Sequence, residues 1–186
     1  MISFAVFITL GIVVQSKPTS IDLTIAKFFA LHRTQSEISV AGTVSTATTP
    51  FFVGLLAIGI LAIWIYRRHR WLAQDFIPVA LIVTAGVAST LAKSIFHRVR
   101  PGMNFSTIYD AEPSFPSSHT VFIAVAGSSF LFILVKRRLL IISLIFVATL
   151  FMSLDRLVLG VHWFTDLVGS VLLSLGLYFL FASRNS

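Results

Sequence analysis

Long apolar runs broken by short clusters of charge constrain this chain more than any other feature. Residues 50–66, 76–96, 121–135, 139–154 and about 162–181 are such runs. Each approaches the length of roughly 20 residues that crosses a bilayer as a helix. In lipid every backbone polar group must be satisfied internally, so open segments of this hydropathy are read as helices. Composition agrees. The chain is 56% hydrophobic and 11% charged, whereas soluble domains carry about 25% charged residues.

The expected fold is all-α: a polytopic membrane protein with six transmembrane helices and a short extracytoplasmic amphipathic helix. Residues 1–14 supply the first span. They are short for one, and a cleaved signal peptide is the alternative, but no Lys or Arg precedes the apolar core as a signal peptide requires. Residues 16–49 are the most polar stretch. Within them Ile21, Ile25, Phe28 and Phe29 repeat at helical spacing, with Asp22, Lys27 and Arg33 elsewhere. That pattern suits a helix lying on the membrane surface, or equally a loop helix packed on the bundle. Pro78 falls near the start of its span, where a missing amide hydrogen costs least. The whole chain, 1–186, is expected to be one domain.

Six spans put the basic clusters Arg67 to Arg70, Lys136 to Arg138 and Arg184 on one side. The positive-inside rule makes that side cytoplasmic. The net charge of +7 therefore reflects topology and anionic ligands rather than nucleic acid. Cysteine is absent, which excludes disulfides and thiolate metal sites.

Three polar clusters fall on the opposite side, each at the end of an apolar run. Polar and charged groups are costly there and are functional candidates by default. Lys93 and Arg100 stand two helical turns apart, with Pro101 following, so both cations can point one way and suit an anion. Their plain alternative is snorkelling to the membrane surface. Pro116-Ser117-Ser118-His119 opens an apolar helix, and a helix N-terminus binds phosphate well. Ser117 either caps that helix or bonds a phosphate oxygen, and His119 is an imidazole placed to titrate near neutral pH.

His162 and Asp166 are four residues apart, so on one helix they would share a face. A carboxylate on one ring nitrogen fixes the tautomer and leaves the other free to attack. A buried pair that only stabilises packing is the alternative. Arg156 precedes them across a connection of residues 155–161 containing Gly160. Together the clusters form a kit for metal-independent phosphoryl transfer through a covalent histidine, where positioning and charge neutralisation carry the reaction. No Walker-type glycine loop and no clustered carboxylates for magnesium or zinc accompany them.

These motifs resemble the phosphatidic acid phosphatase type-two superfamily, whose membrane lipid phosphatases share a core with vanadium haloperoxidases. The family pattern is Lys, six residues, Arg-Pro; then Pro-Ser-Gly-His; then Ser-Arg, five residues, His, three residues, Asp. Here the segments read KSIFHRVRP, PSSH and DRLVLGVHWFTD. Ser118 replaces the usual glycine and Asp155 the usual serine. The resemblance implies His162 as nucleophile, Asp166 orienting it, and His119 protonating the leaving group and then activating water. It implies Lys93, Arg100, Arg156, Ser117 and Ser118 as phosphate-binding residues, with no cofactor and no metal.

The expected function is hydrolysis of lipid phosphate or pyrophosphate monoesters in the cell (inner or plasma) membrane, at the extracytoplasmic face. The substrates implied are undecaprenyl pyrophosphate, phosphatidylglycerophosphate, phosphatidic acid or a lipid A phosphate. The partners expected are the bilayer and its lipids, not nucleic acid. Two other readings are a lipid phosphotransferase of the same fold and a non-enzymatic anion-binding or transport protein.

Overall fold

A computed structural model describes residues 2–67, 72–108, 111–133 and 137–183. Eight α-helices follow in order: α1 (Ile2–Val14), α2 (Ser20–His32), α3 (Gln35–Ala47), α4 (Pro50–Arg67), α5 (Ile77–Phe96), α6 (Ser118–Ser129), α7 (Arg138–Leu159) and α8 (Phe164–Ala182). Short 3-10 turns at Ala73–Phe76 and Phe130–Phe132 flank α5 and α6. Four helices, α4, α5, α7 and α8, are long and apolar enough to cross a membrane. With α1 and α6 as shorter apolar helices, this is a multi-pass membrane protein. The basic residues Arg68, His69, Arg70, Lys136 and Arg184, and the acidic Asp110, lie outside the described residues.

Helix α6 packs against α4, α5, α7 and α8, and α1 runs along α8. Large apolar side chains on the outer faces, such as Phe51, Leu56, Ile95, Leu139 and Phe146, are exposed. That is how a bundle meets lipid rather than water. Between the helices Phe7, Phe96 and Phe115 form a ring cluster, with Phe7 and Phe115 stacked at 5.2 Å and Phe96 edge-on to Phe115 at 5.2 Å. Small residues admit these rings. A Cβ added at Gly169 would meet the Phe115 ring at 2.3 Å, and small residues are what allow close helix approach in membranes.

Several boundaries differ from the sequence expectation. The polar stretch 16–49 holds two helices, not one. Each opens with a reciprocal cap, Thr19 with Asp22 and Thr34 with Glu37. Asp22, expected on a polar outer face, is fully buried. Helix α6 ends at Ser129, earlier than expected. Ser128 and Ser129 donate back to the carbonyls of Ala124 and Ala126 at 2.7 and 2.6 Å, and such side-chain bonds compete with continued helix.

The fifth span runs longer than expected, so Asp155 and Arg156 lie in the last turns of α7 and not in a connection. Gly160 then stops the helix. It takes φ +69°, its amide bonds Leu157 O at 3.0 Å, and Val161 N bonds Arg156 O at 3.2 Å. This is a Schellman stop, which favours glycine. A Cβ there would lie 2.0 Å from Phe105 O. The chain is thereby turned sharply into His162.

Candidate active site

The first cluster is divided: Lys93 lies in the last turn of α5, but the helix stops at Phe96, so Arg100 reaches the site from the loop and not from two helical turns further along. His97 terminates α5 in a left-handed conformation (φ 45°). The loop is pinned to the two later elements: Thr107 donates its amide and hydroxyl to Leu159 O, both at 3.0 Å, and Trp163 Nε1 donates to Val99 O at 2.8 Å. These ties bring residues distant in sequence to one end of the bundle.

There a cavity of about 540 Å³ is lined by Lys93, Arg100, Ser118, His119, Arg156 and His162, with Ser45, Ser89 and Glu112 at its margins. All three sequence clusters meet in it. Its other walls include Pro50, Phe51, Gly86 and Phe122 from α4, α5 and α6, so a polar site passes into an apolar one.

His162 stands in the turn before α8, not on the helix, because α8 begins at Phe164. The expected contact forms nonetheless: His162 Nδ1 lies 3.3 Å from Asp166 Oδ2. Asp166 is the third residue of α8 and also accepts the Trp163 amide at 2.9 Å. On the other ring edge Arg100 Nη1 lies 3.0 Å from His162 Nε2. A guanidinium only donates, so Nε2 carries the lone pair and Nδ1 carries the proton. Burial first, then the charges of Arg100, Lys93 and Arg156, push this imidazole well below its ordinary value near 6.5. It is held neutral near pH 7.

Each cation has an internal partner. Arg100 also donates to Glu112 O and Val161 O, both at 2.8 Å. Lys93 Nζ donates to Pro113 O at 2.9 Å and pairs with Glu112 Oε2 at 3.3 Å. Arg156 is paired with Asp155 through both Nε, at 2.9 Å, and Nη2. Asp155, in place of the usual serine, thus turns to the neighbouring Arg156. Asp155 is buried and absent from the cavity wall.

The two serines separate. Ser118 lines the cavity and sits 3.4 Å from Ser89. Ser117, expected at the phosphate, is instead fully buried, and its amide donates to Ser170 Oγ at 2.9 Å. Its side chain neither caps α6 nor lines the cavity. It anchors the start of α6 to α8. His119 makes a weak 3.4 Å contact with Ser45 O of α3. Among the described residues no three His, Cys, Asp or Glu side chains cluster as a metal site.

The family model described as the PAP2 superfamily matches residues 76–185, more than half of the chain. This chain belongs to the PAP2 superfamily. Its fold is similar to the crystal structure of the first transmembrane PAP2-type phosphatidylglycerolphosphate phosphatase from Bacillus subtilis, with TM-score 0.82 and 23% identity over 98% of this chain and 94% of that one. A comparison with curated proteins gives no match. In this chain the cavity residues fall in and just after the last turn of α5, at the start of α6, at the end of α7 and just before α8. Sequence reasoning missed one buried pair beside them. Arg98 and Asp22 meet at 2.7 Å behind Asp166.

Proposed function

We propose that this PAP2 protein is an integral membrane phosphatase of lipid phosphate or pyrophosphate monoesters, acting through a phosphohistidine on His162. One observation carries the reading. The unprotonated Nε2 of His162 stands in a cavity with Lys93, Arg100 and Arg156, while Asp166 holds the protonated edge. The Nε2 lone pair attacks phosphorus, and the bond to the lipid oxygen breaks. His119 gives that oxygen its proton. His119 then takes a proton from water, which attacks phosphorus and breaks the P–N bond, restoring neutral His162. Lys93, Arg100, Arg156 and the Ser118 backbone neutralise the phosphoryl oxygens, which is the main electrostatic work of such transfers.

We read α1, α4, α5, α6, α7 and α8 as six spans of one unit in the cell membrane, with α2 and α3 and the cavity on the extracytoplasmic side. The apolar walls at Phe51, Gly86 and Phe122 support a lipid arriving sideways between helices. The likeness to a phosphatidylglycerolphosphate phosphatase makes phosphatidylglycerophosphate the first substrate to test. Undecaprenyl pyrophosphate, phosphatidic acid and lipid A phosphate complete the panel.

The experiment is phosphate release from that panel by detergent-solubilised protein with EDTA present. Turnover of at least one lipid is expected, and its abolition in His162→Ala with affinity for inorganic phosphate largely retained. A strict need for added divalent metal would contradict the mechanism. Unimpaired hydrolysis by His162→Ala would end it.

A further inference from the structure

Arg98 is the largest fully buried side chain among the described residues. It does not line the candidate active-site cavity. Its Nη2 donates to Asp22 Oδ2 at 2.7 Å, and its Nη1 donates to Asp166 Oδ1 at 2.5 Å and to Thr165 Oγ1 at 2.7 Å. Asp22 belongs to α2 and Asp166 to α8. Asp22 Oδ1 in turn accepts the Thr165 amide at 2.9 Å, while its Oδ2 accepts the Thr19 amide at 3.0 Å. One carboxylate therefore caps the starts of two helices and grips the guanidinium between them. Asp22 and Asp166 are both 0% exposed and Arg98 is 2% exposed.

The Asp166–His162 contact is long, at 3.3 Å, so it cannot by itself hold the carboxylate in place. The orientation comes from the opposing donors. Arg98 holds Oδ1, and the Trp163 amide holds Oδ2. We propose that Arg98 and Asp22 are positioning residues for phosphoryl transfer: they lock the Asp166 carboxylate onto Nδ1 of His162 and so tie the docking of α2 to the alignment of the nucleophile. The proposal rests on the phosphatase reading above.

Charge supports this as well as geometry. Two carboxylates around one guanidinium leave a net negative charge behind the imidazole, opposite to the cations on its cavity side. When Nε2 gains a phosphoryl group while Nδ1 keeps its proton, the ring becomes cationic. The buried cluster then balances it. Replacing Asp22 by Asn would leave Arg98 wholly committed to Asp166 and would cancel that charge. Arg98→Met leaves two buried carboxylates without their cation, which is strongly destabilising, so folding must be read separately from rate.

The test compares Asp22→Asn, Arg98→Lys and Arg98→Met with the parent chain. Thermal midpoint, kcat and KM for phosphate release, and the 15N NMR signature of the His162 tautomer are read on each. Asp22→Asn is expected to lower kcat roughly 10- to 100-fold, the scale on which outer-shell partners act on functional histidines, with KM within about twofold. The Nδ1–H tautomer should lose population in Asp22→Asn and Arg98→Met, and Arg98→Lys should recover part of it. A rise in KM at unchanged kcat, or a fall in midpoint with the tautomer intact, overturns the proposal. The tautomer is read without turnover. If the parent releases no phosphate from any lipid, the phosphatase reading fails while the spectra still decide the positioning.

Discussion

Asp155 stands where the PAP2 pattern carries serine, and both it and Arg156 are buried. A guanidinium gripped by a carboxylate offers less to a phosphate, since the ligand must compete with an internal anion. Asp155→Asn should therefore tighten inhibition by vanadate or inorganic phosphate several-fold. It should also cost on the order of 1–3 kcal/mol of stability through a lost charged hydrogen bond. An inhibition series beside melting curves checks both. His162 sets a pH dependence. Its imidazole is held well below 6.5 in the folded chain, while an unfolded one sits near 6.5. Below that pH the unfolded state binds the extra proton, so stability falls as pH drops from 7 toward 5. The slope should shrink in His162→Ala. The phosphoenzyme burst, in contrast, should persist at pH 5.5, where an ordinary histidine is mostly protonated.

Of the four long apolar helices, α8 is the most buried, and its approach to the loop before α6 depends on Gly169 under the Phe115 ring. Gly169→Ala should displace that ring and with it the entry to Ser118 and His119. The expected cost is about 1–3 kcal/mol, as for other overpacked cores, with kcat reduced alongside midpoint. The helical periodicity and the spacing of the three clusters were legible in the sequence because both are local. The paired caps were legible too, as Thr-x-x-Asp at 19–22 and Thr-x-x-Glu at 34–37, and they would have divided α2 from α3. The burial of Asp22 was not legible. Its guanidinium partner lies 76 residues away, and on a helical wheel an acidic residue on α2 reads as solvent-facing. Ser117 misled for a related reason. The sequence places it at a helix start, but only the packing of α6 on α8 turns it toward Ser170.

At the scale of the whole molecule, the fold sets Glu112 and Glu37 at one end of the bundle and Arg137 and Arg138 at the start of α7. The chain has no cysteine, so single cysteines introduced at these exposed positions report sidedness cleanly. In intact cells Glu112→Cys should react with a membrane-impermeant thiol reagent and Arg138→Cys should not. Equal labelling of both would refute the six-span orientation. The choice among lipids was not legible in the sequence, because the apolar walls of the cavity are built from ordinary spanning residues such as Phe51 and Phe122.

Arg100 has a consequence for how any anion is received. Its guanidinium donates to Nε2 of His162, the atom from which the proposed attack would come, and holds two backbone carbonyls besides. Under that mechanism a phosphate would have to draw the guanidinium off this nitrogen, so a single side-chain movement would couple capture of the anion to baring of the imidazole.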